Sequence, residues 1–111
     1  MKQKQIRLFA VAAVLATVLI ALSPARAQSA AATYKAKCAG CHGTDGKGNT
    51  GPGKALGAHD FGSEEVLKMS DADLIKIVTE GKGKMPSYGK SLKDAEIRDL
   101  VAYIRELSKQ R

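Results

Sequence analysis

Apolar residues recur at helical spacing after residue 70. Leu74, Ile77 and Val78 stand at positions i, i+3 and i+4, which places them on one face of a helix. The stretch Ser70–Asp73 resembles a capping box in which Asp replaces the usual Glu, and Gly81 is a typical stop signal. The pattern therefore predicts a helix that begins at Ser70 and stops at Gly81.

A longer apolar stripe predicts a C-terminal helix from about Leu92 to Ser108. Its members share one face at helical spacing: Ile97, Leu100, Val101, Ile104 and Leu107. The start of this helix is ambiguous, because Ser91 is the better capping side chain whereas the pattern also fits a start at Lys93.

The first half of the predicted domain contains one further helix and a long loop. An alanine-rich stretch from about Ala30 to Cys38 predicts the helix, with Ser29 as its N-cap. Seven glycines and Pro52 then lie between Gly43 and Gly62, and a short helical turn is expected only after Ser63. Because no alternating apolar run is present, we expect an all-α domain of about three main helices, with loops that wrap around a bound group.

The first 27 residues have the pattern of a secretory signal peptide. A basic head precedes an apolar stretch from Leu8 to Leu22, and Ala25-Arg26-Ala27 supplies a small-x-small cleavage site. The apolar stretch has 15 residues, whereas a membrane-spanning helix needs about 20. We expect cleavage after Ala27, export, and no stable membrane insertion afterwards. The alternative is an uncleaved N-terminal anchor.

The predicted mature domain, residues 28–111, is only mildly basic. The chain has a net charge of +7, and four of its 18 basic residues but none of its 11 acidic residues precede residue 28, which leaves 14 − 11 = +3. This charge suits acidic partners and is too small to indicate nucleic-acid binding. A domain this short buries little apolar surface and is usually stabilised by disulfides, a metal or a cofactor. Two cysteines cannot form a disulfide framework.

Those two cysteines lie in the stretch Cys-Ala-Gly-Cys-His, which has three interpretations. A thioredoxin-like redox site expects a preceding strand, whereas an alanine-rich helix precedes Cys38. A structural zinc site needs four ligands, but His42 adjoins Cys41, and His59 lies too far along the chain for the usual spacing. The remaining interpretation is a c-type haem attachment site.

Haem attachment explains each residue of this stretch. Two thiols separated by two residues match the two vinyl groups with which they form thioether bonds, and His42 then points its imidazole at the iron. Met85 is the preferred sixth ligand because it lies between glycines and Pro86 in a loop, whereas Met69 precedes a helix cap and is interpreted as core packing. His59 is the rival ligand, although a histidine in a glycine loop is more typical of a solvated surface.

With these motifs the chain resembles the class I c-type cytochromes, especially the short single-domain monohaem proteins of bacteria and photosynthetic organisms. The resemblance covers nearly all of residues 30–107. It rests on five stretches: Cys38–Gly43, Gly51–Gly53, Ser70–Leu74, Lys84–Pro86 and Leu100–Ile104.

The resemblance implies the cytochrome c fold around one covalently attached haem c. Cys38 and Cys41 would be the tethers, and His42 and Met85 would be the proximal and distal iron ligands. The carbonyl of Pro52 would accept the second imidazole N–H of His42. The first and last helices would meet through the following residues: Ala30, Tyr34, Leu100 and Tyr103.

The implied function is that of a soluble, monomeric electron carrier and not an enzyme. It would act in the periplasm, or in a compartment like the thylakoid lumen, on redox proteins with acidic docking surfaces. Candidate steering residues are Lys35, Lys37, Lys82, Lys84 and Lys90, with a plain solvated surface as the alternative. Two other functions stay open: a haem enzyme or gas sensor with an open sixth position, and a tightly bound subunit of a dehydrogenase or oxidase complex.

Overall fold

A computed structural model of the protein describes residues 25–110. This range forms six helices: α1 (Ala25–Lys37), α2 (Ala39–His42), α3 (Gly51–Leu56), α4 (Glu64–Lys68), α5 (Asp71–Glu80) and α6 (Asp94–Lys109). Residues 25–110 contain no strand, which confirms the all-α fold. None of the helices in this range has the length and apolar character needed to cross a membrane.

Helix α1 covers Ala25–Lys37, so helical structure is present before the predicted start near Ala30. The helix therefore runs across the predicted cleavage site after Ala27. Most of the predicted signal peptide, residues 1–24, lies outside the described residues, so its cleavage stays a prediction.

The predicted start of α5 is confirmed in atomic detail. The Ser70 hydroxyl oxygen accepts a 3.1 Å hydrogen bond from the Asp73 N–H, and the Asp73 carboxylate accepts one of 3.4 Å from the Ser70 N–H. The ambiguity at α6 is resolved in favour of Lys93, whose backbone N–H donates to the Glu96 carboxylate at 2.8 Å. In both helices the carboxylate of the third helical residue thus accepts a hydrogen bond from the backbone N–H of the N-cap residue, which has no partner within the helix.

Helix α3 lies inside the segment that we predicted as a glycine-rich loop, so that prediction is wrong for Gly51–Leu56. The Thr50 hydroxyl oxygen accepts a 2.8 Å hydrogen bond from the Gly53 N–H and caps the helix. Pro52 occupies the first turn, where its missing N–H costs nothing. The expected turn after Ser63 is confirmed as α4.

The core lies where α1 and α5 each pack against α6. Its most deeply buried side chains are those of Tyr34, Ile97, Leu100 and Val101. The ring centroids of Tyr34 and Tyr103 lie 5.2 Å apart, which confirms the contact implied between the first and last helices. Part of this core also lines a cavity.

Candidate functional site

A cavity of about 420 Å³ has a mostly apolar wall and contains the four residues predicted to hold the haem. Cys38, Cys41 and His42 line one part of it, and Met85 lines another. Helices α4 and α5 contribute apolar side chains: Val66, Leu74 and Ile77. The tertiary structure thus brings together residues that lie more than forty positions apart.

The two cysteines are separated by one helical turn. α1 ends at Lys37, and the Cys38 carbonyl then accepts the His42 N–H at 2.9 Å across α2. Both cysteines are half-buried. Burial raises the pKa of the Cys38 thiol, and the charge of the neighbouring Lys37 opposes this effect. Both cysteines line the cavity.

The His42 imidazole has the properties of a metal ligand. Burial lowers the pKa of His42, and a backbone interaction with His59 partly opposes this effect. The lowered pKa favours the neutral ring with a free lone pair. The Phe61 ring stacks on it with a centroid separation of 4.7 Å. Within residues 25–110 its Nδ1 atom is buried and makes no hydrogen bond of standard length and angle. An imidazole of this kind fits a site in which one ring nitrogen would bind a haem iron and the other would donate a hydrogen bond to a neighbouring group.

Pro52 does not make its predicted contact in this structure. It lies exposed in the first turn of α3 and is not part of the cavity wall. Because Nδ1 of His42 makes no hydrogen bond of standard length and angle among the described residues, the hydrogen bond from that nitrogen to the Pro52 carbonyl is not formed. The role of Pro52 stays a prediction.

Two hydroxyl groups fix the backbone of the cysteine turn. The Tyr34 hydroxyl donates to the Gly43 carbonyl at 2.6 Å, and the Thr50 hydroxyl donates to the Cys41 carbonyl at 2.8 Å. α1 and the cap of α3 therefore hold this turn from two directions.

Met85 lies in a hairpin closed by backbone hydrogen bonds. The Lys82 N–H donates to the Met85 carbonyl at 3.2 Å, and the Met85 N–H donates to the Lys82 carbonyl at 3.0 Å. Gly83 turns the chain with a φ of 58°, a conformation that glycine adopts readily. The backbone thus presents Met85 on a short, closed turn.

Several cavity residues were missed or only partly understood from the sequence. Phe61 and Tyr88 line the cavity without having been singled out. Met69 packs against the core as predicted, but it also lines the cavity. His59 is exposed as expected, lies 3.5 Å from the Glu65 carboxylate, and nevertheless borders the cavity. Phe61 and Tyr88 carry no sequence signal of their own, because both lie outside the five stretches on which the family resemblance rests.

The zinc interpretation finds no support in residues 25–110. No group of three or more His, Cys, Asp or Glu side chains in that range is arranged to hold a metal ion. A haem needs only the axial donors and two thiols that the cavity already presents, so the donor set fits a haem.

The match to known proteins agrees with this geometry. Residues 25–104 match the family described as cytochrome C oxidase, cbb3-type, subunit III. This chain belongs to the class I c-type cytochromes. A solved structure, the KustC0563 c-type cytochrome, superposes with a TM-score of 0.64 at 33% sequence identity over 69% of this chain and 94% of that one.

Two kinds of relative are similar to this cytochrome. The cytochrome c6 of a Picosynechococcus strain is 37% identical over 84% of this chain and 86% of its own length. The cbb3-type cytochrome c oxidase subunit CcoP of Azospirillum brasilense is 34% identical over 75% of this chain, but the match spans only 29% of that subunit. The chain therefore belongs to a family of electron-transfer proteins, and its cofactor is a covalently bound haem c.

Proposed function

We propose that this cytochrome is a soluble, exported carrier that moves single electrons between redox proteins through a haem ligated by His42 and Met85. The observation that carries the proposal is the position of both side chains on the wall of one cavity, next to both thiols. Cys38 and Cys41 would hold the haem covalently. Residues 1–27 would be removed as a signal peptide, and residues 28–111 would form a monomeric domain in the periplasm or a similar compartment.

When bound, the haem supplies an iron that exchanges one electron with a partner. His42 would provide a neutral nitrogen ligand, because burial lowers its pKa. The soft thioether of Met85 favours reduced iron and raises the reduction potential. The apolar side chains of the cavity wall exclude water, which penalises the additional charge of oxidised iron.

An absorption spectrum of the purified protein tests the ligands. We expect a weak band near the red edge of the oxidised spectrum, typical of a Met–iron bond, and resistance to carbon monoxide at neutral pH. The variant Met85→Ala should lose the band, whereas the matched variant Met69→Ala, which alters the other cavity methionine, should keep it. Loss of the band in Met69→Ala alone would contradict the assignment. An open-site enzyme or sensor would lack the band in the wild type.

The charge at the cavity supports acidic partners. Lys37, Lys82 and Lys84 line the cavity and are exposed, whereas Lys35 and Lys90 do not line it. Opposite charges on a partner would raise the association rate more than the affinity. Electron-transfer rates with an acidic partner should fall as salt is added, and rates independent of ionic strength would contradict this steering role.

The similarity to CcoP favours a second candidate function, in which the same domain serves as a cytochrome subunit of an oxidase complex. Size-exclusion chromatography of the protein from its native membrane and soluble fractions separates the two candidates. A free monomer supports the carrier, and stable co-elution with an oxidase supports the subunit.

A further inference from the structure

The side chain of Tyr88 joins two segments that are distant in the sequence. Its hydroxyl donates a 3.0 Å hydrogen bond to the backbone carbonyl of Lys37, 51 residues away. Lys37 directly precedes Cys38, and Tyr88 follows Met85 by three residues. Because Tyr88 and Lys37 both line the cavity, this one bond connects the Met85 segment to the cysteine segment at the cavity itself.

The Lys37 carbonyl is available because the helix is interrupted there. α1 ends at Lys37, and α2 begins at Ala39. In a continuous helix the Cys41 N–H would bond to Lys37, but it donates to the Cys38 carbonyl at 3.3 Å instead. The last carbonyls of a helix need partners from elsewhere in the protein or from water. The Tyr88 hydroxyl is such a partner.

The backbone of Tyr88 is anchored on the opposite side. The Tyr88 N–H donates to the Val78 carbonyl at 3.0 Å, and the Gly89 N–H donates to the Thr79 carbonyl at 3.0 Å, both near the end of α5. The Tyr88 side chain therefore links α5 to α1. These two helices otherwise pack against α6, and the hydroxyl makes a direct connection between them at the cavity.

We propose that the Tyr88 hydroxyl is a latch that holds the Met85 segment closed and restricts external ligands from the sixth coordination position. The inference rests on the proposed role of Met85 as the distal ligand. If the latch forms only in the closed state, its loss raises the population of open molecules, and an external ligand that binds the open state gains apparent affinity by the same factor. Tyr88 is then a positioning residue that acts through Met85.

The variant Tyr88→Phe tests the latch, because it removes the hydroxyl and keeps the ring. In the reduced haem protein, carbon monoxide should bind roughly threefold to tenfold faster than in the wild type, the factor that corresponds to one typical hydrogen bond. Deuterium exchange at the Lys82 and Met85 amides, which close the hairpin, should also be faster in Tyr88→Phe than in the wild type. Tyr103→Phe is the matched control, since the Tyr103 hydroxyl makes no hydrogen bond within residues 25–110 and does not line the cavity.

Three outcomes would overturn the latch. They are unchanged carbon monoxide binding in Tyr88→Phe, an equal acceleration in Tyr103→Phe, and a lower melting temperature of Tyr88→Phe without faster ligand binding. A different result would contradict the proposed function. A wild-type protein without the Met–iron band contradicts the ligand assignment, whereas a wild type with the band and an unaffected Tyr88→Phe variant contradicts only the latch.

Discussion

The buried hydroxyl of Tyr34 donates a 2.6 Å hydrogen bond to the backbone carbonyl of Gly43. Tyr34 is only 1% exposed and belongs to the core between α1 and α6. Gly43 directly follows His42, so this bond fixes the end of the turn that carries both cysteines and the imidazole. One core side chain thereby positions the turn that is proposed to bind the haem.

The variant Tyr34→Phe should be less stable than the wild type by about 1–3 kcal/mol, because the buried Gly43 carbonyl loses its partner. Denaturant unfolding of the haem protein measures the change. Tyr103→Phe, on the neighbouring ring, should change the free energy of unfolding by less than about 0.5 kcal/mol. Equal effects of the two substitutions would contradict the importance of the Tyr34 hydroxyl.

The same hydroxyl predicts a loss of stability at high pH. Burial raises the pKa of Tyr34 above its ordinary value of 10.0. Above about pH 10 the unfolded chain releases the phenol proton while the folded protein retains it, so stability falls as the pH rises. The stability difference between wild type and Tyr34→Phe should be constant at neutral pH and shrink above about pH 10. A difference that grows with pH would reverse the predicted sign.

Two glycines of α3 form a matched pair for substitution. A Cβ atom at Gly53 would collide with the Cys41 carbonyl and would lie 2.6 Å from the Gly48 carbonyl, whereas a Cβ at Gly51 meets nothing within 4 Å. Gly53→Ala should destabilise the domain by about 1–3 kcal/mol or more, because backbone atoms must shift. Gly51→Ala should be tolerated. Thermal melts and haem incorporation of both variants check this, and a well-tolerated Gly53→Ala would contradict the close approach.

Arg105 joins α6 to the corner between α4 and α5. Its guanidinium donates to the carbonyls of Val66 at 3.3 Å and Met69 at 2.5 Å, and to the Asp71 carboxylate at 2.9 Å. Arg105→Met should cost about 1–3 kcal/mol because two backbone carbonyls lose a charged donor. Asp71→Asn should cost less than about 1 kcal/mol, because the Asp71 side chain is 71% exposed and the pair is screened by water. Similar losses of stability in the two variants would contradict this prediction and assign the stabilisation to the ion pair between Arg105 and Asp71.

Removal of the haem attachment should abolish cooperative folding. The double variant Cys38→Ser with Cys41→Ser leaves a largely apolar cavity of about 420 Å³ unfilled in a small domain. Circular dichroism melts of this variant and the wild type measure the effect. We expect a broad transition without a defined midpoint, and a sharp, native-like melt of the double variant would show that the core does not depend on the haem.

Local sequence signals predicted the features that depend on neighbouring residues. The Ser70–Asp73 box and the stripe from Ile97 to Leu107 specify α5 and α6, since capping bonds and helix faces arise within a few positions. Helix α3 was not predicted, because its sequence is rich in residues that favour turns. Its only helix-start signal is Thr50 followed by Pro52. The helical residues before Ala30 were missed because Ala25-Arg26-Ala27 was interpreted as a cleavage site.

By itself, the sequence determined the class of this protein, because the spacing of Cys38, Cys41 and His42 is a local property of one helical turn. It also pointed to Met85, whose loop carries its own signals. Only the tertiary structure decided which residues complete the cavity, including Phe61 against the imidazole and Tyr88 against Lys37. These contacts join segments that are far apart in the chain, and such contacts depend on how the helices pack around α6, which no local pattern encodes.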